Sequence, residues 1–457
     1  MSNENRLPLE NKMGTMPIGK LLLTMALPMI IAMIVQALYN VVDSIYVSQI
    51  SESAVTALGL AFPVQNILIG FATGIGVGVN SLLSKSLGEG NQKAANRAAG
   101  NGVFLLLIAT VLFILFGFFG SRPYFEIQSN VSETVDGGTI YTAICCIGSL
   151  GIFVEVLGER LLQSSGRTFY TLITQGSGAV INIVLDPVFI FGFEPLGIPP
   201  MGIAGAAIAT VIGQWIAGIL AVIFNFKCNP DVQFALSYLK PKAKTLGPIL
   251  TVGIPSIIMM AIGSVMNFGM NQILQGFHET ATGVFAIYFK LQSFFFMPLF
   301  GINNATISIV AYNYGARNPK RITGTLLRSS MTALCIMIAG LLIFQFFPDL
   351  LLGIFNPSDE FLRIGRSALR IISICFPAAA IGIALSASFQ AMGDGIYSTI
   401  TSLCRQLLVL LPVAYLLSLT GEVVNVWWAF PIAEVASLCT TVFFYSRIYR
   451  KKIKPMM

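Results

Sequence analysis

Apolar residues in this chain are gathered into long runs separated by short polar turns. Runs of helical length fall at about 18–48, 55–84, 96–120, 137–159, 168–193, 202–226, 246–277, 282–312, 324–347, 364–390, 396–418 and 424–446. Each can cross a hydrocarbon layer about 30 Å thick, which takes roughly 20 residues at about 1.5 Å per residue. Backbone groups in hydrocarbon must be bonded within their own segment or around a closed barrel, and runs of this length argue for helices over ten-residue alternating strands. The pattern predicts an all-α integral membrane protein with 12 transmembrane helices. The runs near Gly137 and Arg363 begin least sharply.

The runs repeat. Sliding the chain by 227 positions pairs Pro28 with Pro255, Asn40 with Asn267, Phe62 with Phe289, Gln65 with Gln292 and Gly74 with Gly301. The same shift pairs Ser81 with Ser308, Gly88 with Gly315, Asn91 with Asn318, Gln163 with Gln390 and Gly166 with Gly393. A duplicated six-helix unit of even span number gives two copies that enter from the same side, related by an axis along the membrane normal. The expected architecture is two pseudo-symmetric six-helix bundles with a central cleft. Its expected parts are an N-terminus over 1–17, an N-terminal lobe over 18–226, a linker over 227–245, a C-terminal lobe over 246–446 and a basic tail over 447–457.

Composition agrees with the membrane reading: 55% of residues are hydrophobic and 10% charged, against about 25% charged in ordinary soluble domains. The formal net charge of +7 does not point to nucleic acid once its placement is followed. Most Lys and Arg lie in the polar N-terminus, the even-numbered connections and the tail, including Arg6, Lys12, Lys85, Arg167, Lys240, Arg321 and Lys452. The odd-numbered connections carry mainly acids such as Glu52, Glu126, Asp136 and Glu422. This bias predicts cytoplasmic termini. Residues 1–16 lack the apolar core and cleavage site of a signal peptide, so the first run is expected to remain a spanning helix. The seven cysteines include no CxxC pair and sit mostly in apolar runs, which indicates neither a disulfide framework nor a metal site.

Two acids stand apart. Asp43 near the end of the first run and Asp186 near the end of the fifth lie about 8–11 Å inside the outer face at about 1.5 Å per residue. An intramembrane carboxylate is a functional hypothesis by default. Burial penalises its charged form, which suits the pair to carrying a proton. Asn182, four residues before Asp186, shares its helix face, and Gln36, Tyr39 and Asn40 lie below Asp43. The plain alternative is an acid satisfied by a neighbouring hydroxyl or amide. The repeat does not keep the acids, since the shift takes Asp43 to Met270 and Asp186 to Val413. Ion coupling is therefore expected mainly in the first lobe, with substrate and gating in the second.

Weaker candidates follow. Glu155 and Glu159 precede the inner end of the fourth span, where Glu159 is a candidate for cationic-substrate entry, and Lys290 is a candidate cleft residue or a snorkelling one. Met260, Met266 and the Phe294-Phe295-Phe296 run would give a soft wall for apolar cations, or lipid-facing packing. Arg405 and Glu434 read as a structural ion pair, and His278 as an ordinary loop residue. Pro28 is the candidate hinge in the helix that carries Asp43. No GxxxxGK[ST] loop occurs, so an ion gradient is the expected energy source.

Leu27-Pro28, residues 36–43 (Gln36 to Asp43), the loop from Ser84 to Asn91, residues 163–167 (Gln163 to Arg167) and residues 182–187 (Asn182 to Pro187) together resemble the MATE (multidrug and toxic compound extrusion) transporters. The similarity covers nearly the whole chain and is nearest to the DinF branch with its MepA-type exporters. The resemblance implies a multi-pass protein of a bacterial plasma membrane that exports cationic, amphipathic drugs by exchange for protons or Na⁺. It further implies Asp43, Asn182 and Asp186, with Gln36 and Tyr39, as the coupling site. The NorM branch carries an acid in the seventh helix, and residues 260–274 contain none. Proton antiport is thus the first expectation and Na⁺ coupling the second, with no cofactor, no metal, membrane lipid as the surrounding partner and a monomer as the expected state. A flippase for lipid-linked precursors would need more cavity cations than Lys290 and Arg405 supply. A membrane-embedded enzyme would need clustered aspartates, a nucleophile with its base or histidine-rich spacing, and the chain has one histidine.

Overall fold

The computed structural model describes residues 11–277, 279–355 and 358–457, with the side chains of Asn40, Val41, Ser44, Glu52 and Glu279 outside the described set. Arg6 and His278 also fall outside it. The first half comprises α1 (Ile18–Ser48), α2 (Glu52–Gly88), α3 (Gln92–Gln128), α4 (Ser132–Ile147), α5 (Leu150–Ser164), α6 (Thr168–Phe191) and α7 (Ile203–Cys228). The second comprises α8 (Ala243–Gln275), α9 (Glu279–Gly315), α10 (Pro319–Phe346), α11 (Asp359–Ser373), α12 (Phe376–Ala391), α13 (Gly395–Ser418) and α14 (Ala429–Ile448). The described residues are helical apart from turns and one isolated bridge between Phe193 and Ile198.

Ten of the described helices are long and apolar enough to cross a membrane, and the bent pairs α4–α5 (47°) and α11–α12 (45°) bring the spans to 12. These pairs are the two runs that began least sharply. The reason is chemical: α4 opens with Glu133 and Asp136, and α11 carries Asp359, Glu360, Arg363, Arg366 and Arg370. The breaks fall at the same place in both copies, at Gly148-Ser149 and at Cys375 just ahead of Pro377. A glycine loosens the first helix, and a proline that cannot donate to the ladder ends the second.

Other repeat pairs turn out to have shared jobs. Asn91 and Asn318 each cap the following helix, accepting from the backbone N–H of Ala94 (3.0 Å) and Arg321 (3.2 Å). Gly166 and Gly393 adopt φ of 80° and 81° in the turns after α5 and α12, a left-handed conformation that glycine takes without a Cβ penalty. Each turn is also clamped by an ion pair to a later segment, with the signs exchanged. Arg167 meets Asp231 of the linker at 3.9 Å, and Asp394, its repeat counterpart, meets Lys452 of the tail at 2.7 Å. Burial raises the Asp231 carboxyl above its usual range and the Arg167 guanidinium opposes that rise.

The halves meet through α1 on α9 and α2 on α8. At the face that carries the termini and the linker, called the terminal face below, the contact is reciprocal. A Cβ on Gly88 would overlap the Tyr312 carbonyl, and one on Gly315 would overlap the Lys85 carbonyl, Lys85 and Tyr312 being themselves a repeat pair. Higher up, Gly74 packs on Ile257 and Gly301 on Ile30, again as counterparts. Ser81 donates to the Gln390 carbonyl at 2.7 Å and Ser308 to Asn80 Oδ1 at 3.1 Å. The structure is closed at the terminal face.

The interiors of the halves differ. The second is filled by aromatic rings: Phe285, Tyr288, Phe344, Phe376 and Trp427 are all buried, with Phe289, Phe295, Phe296 and Phe430 packed against them. Arg405 and Glu434 pair at 3.3 Å between α13 and α14. α1 runs through Pro28 as one continuous helix.

Candidate functional site

The first half is hollow. A cavity of about 450 Å³ is walled by α1, α2, α4, α5, α6 and α7, with Asn304 of α9 at its edge. Each helix contributes a polar stripe at helical spacing, as side chains three, four or seven apart must share a face. From α1 come Gln36, Tyr39 and Asp43; from α5 come Glu155, Glu159 and Gln163; from α6 come Thr171, Gln175 and Asn182. Phe62 lines the cavity yet is 59% exposed, which marks its open rim.

At the end of this cavity remote from the terminal face, Asn182 Nδ2 donates to Asp186 Oδ1 (3.2 Å) and lies 3.3 Å from Thr210 Oγ1. Asp186 is fully buried behind Asn182, whereas Asp43 itself lines the cavity. The two carboxyls interact electrostatically, and the Tyr39 phenol lies within electrostatic range of Asp43, Asp186 and Glu155. Asp43 Oδ1, Asp186 Oδ2 and Asn182 Oδ1 are buried without a hydrogen-bond partner among the described residues. Neither acid has a basic side chain paired with it among those residues.

The end nearer the terminal face is chemically different. Glu159 is held by Thr174 Oγ1 and Gln175 Nε2, each donating at 2.8 Å, and Glu155 stands one turn away on the same face of α5. Arg160 also reaches the wall and donates to Gln163 Oε1 at 2.9 Å. Between the ends, Gln65 donates to the Tyr141 hydroxyl at 2.8 Å. Seven residues of α6 separate Gln175 from Asn182, about 10 Å along the helix. Among the described residues no group of three or more His, Cys, Asp or Glu side chains is placed to hold a metal ion.

Gln36, Tyr39, Asp43, Glu159 and Asn182 thus share one cavity wall, with Asp186 directly behind it. The other expected wall residues do not join them. Met266 is 8% exposed inside the aromatic core of the second half. Lys290 is exposed on α9, outside the cavity wall. Met260 does not line the cavity but meets the wall residue Thr73, whose Oγ1 lies 3.2 Å from its sulfur. Phe295 and Phe296 fill the second core instead of lining a cleft, because their rings meet Phe344 and Phe376 edge to face. The side chain of Asn40 lies outside the described residues. Sequence reasoning missed Thr210, Gln175 and Gln214, whose signal was present: polar side chains in apolar helices, with Gln175 two turns before Asn182.

A 12-span helical fold of two like halves, the first enclosing a polar cavity, defines an integral membrane transporter. The MatE family model matches residues 28–188 and 255–416, once in each half and starting 227 positions apart. The chain belongs to the MatE family, whose members are transporters and not enzymes. It is 22% identical to the multidrug export protein MepA of Staphylococcus saprophyticus over 90% of this chain and 89% of that protein. It is 25% identical to an FAD transporter of Shewanella oneidensis over 92% of both chains. Among solved structures, an outward-facing multidrug resistance MATE transporter superposes with a TM-score of 0.91 at 25% identity, covering 99% of both chains.

Proposed function

We propose that this chain exports cationic, amphipathic compounds in exchange for protons, by alternating access, from a bacterial plasma membrane in which both termini are cytoplasmic. Asp43, Asn182 and Asp186 are the coupling residues in this reading. The observation that carries it is the set of three buried oxygens on those residues that have neither a hydrogen-bond partner nor a counter-ion among the described residues. An unpaired buried carboxylate costs several kcal/mol, and taking up a proton removes that cost without any change in packing. Residues 260–274 lack the acid that a resemblance to the NorM branch would imply there, which favours the proton over Na⁺.

Wall charge supports a cationic passenger. Asp43, Glu155 and Glu159 face the cavity against the single guanidinium of Arg160, a balance that suits neither an anionic dinucleotide nor a pyrophosphate-linked lipid. Glu159→Gln is expected to raise the half-saturating concentration of a monocation such as ethidium about 10- to 100-fold, the worth of one charge-assisted contact. Transport of a neutral dye should move far less, so equal losses for both would remove Glu159 from substrate binding.

Coupling is tested in inside-out vesicles carrying an imposed pH gradient. Addition of ethidium should dissipate that gradient, with and without Na⁺ present. A strict Na⁺ requirement would replace the proton with Na⁺ in this scheme.

A further inference from the structure

The segment before α1 does something its length does not advertise. Residues 11–16 form a single capped turn, with Asn11 Oδ1 accepting the Met13 N–H at 3.0 Å and Met13 fully buried. That turn precedes the first helix of the first half, yet its strongest contacts are with the second. Arg321 at the start of α10 donates Nη2 to the Met13 carbonyl (2.9 Å) and to the Met16 carbonyl (2.8 Å). Asn313 on α9 donates Nδ2 to the same Met13 carbonyl at 3.1 Å and accepts Arg321 Nε at 3.1 Å. The Met13 side chain packs in a core shared by α1 and α9, with Met25, Ile302 and Ile309.

On its other side the turn reaches the first half. Asn11 Nδ2 lies 3.4 Å from the Ser165 carbonyl and 3.5 Å from Asp231 Oδ2. Ser165 is two residues beyond Gln163, the cavity residue at the C-terminal end of α5. The turn therefore crosses the boundary between the halves directly beneath the closed end of the cavity. The linker, by contrast, is held within the half it leaves: Asn101 of α3 donates to the Tyr238 and Lys240 carbonyls and accepts the Lys242 N–H at 2.9 Å.

We propose that residues 11–16 are a latch across the terminal face, gripped by Arg321 and Asn313, which holds the cavity shut on that side and must release its grip before the cavity opens there. Arg321 is the positioning residue of this device. It has no carboxylate partner among the described residues, so its charge is met by the two strap carbonyls and Asn313. Opening that separates α1 from α9 must break these charge-assisted bonds together, because both carbonyls belong to one rigid turn.

The first test of the latch, a labelling rate, uses neither substrate nor gradient, so its fate is separable from that of the proton-exchange reading. The reporter is Gln163→Cys in a chain whose seven native cysteines are replaced, read by labelling alone. A membrane-impermeant maleimide is applied at the terminal face. Arg321→Gln should raise the labelling rate about tenfold or more, the population shift expected from losing even one of its three charged hydrogen bonds. In a second variant that lacks the reporter, Gly14→Cys with Tyr312→Cys, positions in contact across the strap, a short reducible bis-methanethiosulfonate should stop export until reductant is added. Unchanged labelling in folded Arg321→Gln protein overturns the latch. If that variant does not fold, full export by the bridged protein overturns it instead.

Discussion

Asp186→Asn should reduce export to the level of membranes without the protein, while the chain still folds and inserts. The two parts of that expectation have separate causes. Folding survives because the amide keeps the shape of the carboxyl, and its oxygen can still accept the Asn182 Nδ2 bond now made at 3.2 Å. Burying a neutral amide in place of a carboxyl with one unpartnered oxygen also removes a desolvation cost. Export fails because an amide neither binds nor releases a proton near neutral pH, so the step that resets the site is lost. The check pairs ethidium efflux with thermal unfolding of the purified protein. Full efflux by well-inserted Asp186→Asn protein would remove this residue from coupling, and loss of folding would make its role structural.

Gly88→Ala with Gly315→Ala should give the second large effect, acting on the closed state and not on the site. Each new Cβ would run into a backbone carbonyl of the opposite half, Tyr312 for the first and Lys85 for the second. Backbone cannot yield by changing rotamer, so the halves must move apart. Overpacking of this kind costs about 1–3 kcal/mol at one site, and about 2 kcal/mol is roughly a 30-fold change in a two-state population. The two sites share partners and will not add simply. Labelling of Gln163→Cys from the terminal face should rise, with export falling in parallel. Gly59→Ala is the control in the same helix, since nothing lies within 4 Å of its Cβ and the change favours helix. Equal behaviour of Gly59→Ala and the double variant would show that these glycines do not set the closed state.

The two experiments address opposite ends of one mechanism. A protonation change near Asn182 must be coupled to separation of surfaces near Gly88 and Gly315. α1 links these regions, since it carries Asp43 and Gln36 along the cavity and Ile30 against Gly301. It also continues, through Pro17, into the strap held by Arg321.

Much of this was legible in the residues. Apolar run length predicts the spans because a helix in hydrocarbon must satisfy its own backbone, and the 227-position repeat predicts the pairing of caps at Asn91 and Asn318. Asp43, Asn182 and Asp186 were legible because a polar group in an apolar helix is costly wherever it points. The expected wall in the second half was misplaced for the same underlying reason. Met266, Phe295 and Phe296 are apolar, so hydropathy alone cannot tell a cavity wall from a filled core or a lipid face.

By itself, then, the chain's order of residues determined that it spans a membrane 12 times in two like halves and that acids sit deep in the first. Those properties follow from local cost, which each segment meets alone. Only the tertiary structure decided that one half is hollow and the other packed with rings, that Glu159 faces the same cavity as Asp43, and that the N-terminal turn is held by the far half. Such choices depend on which helix faces lie opposite one another, and side-chain volume across a gap is a property of pairs that no single segment carries.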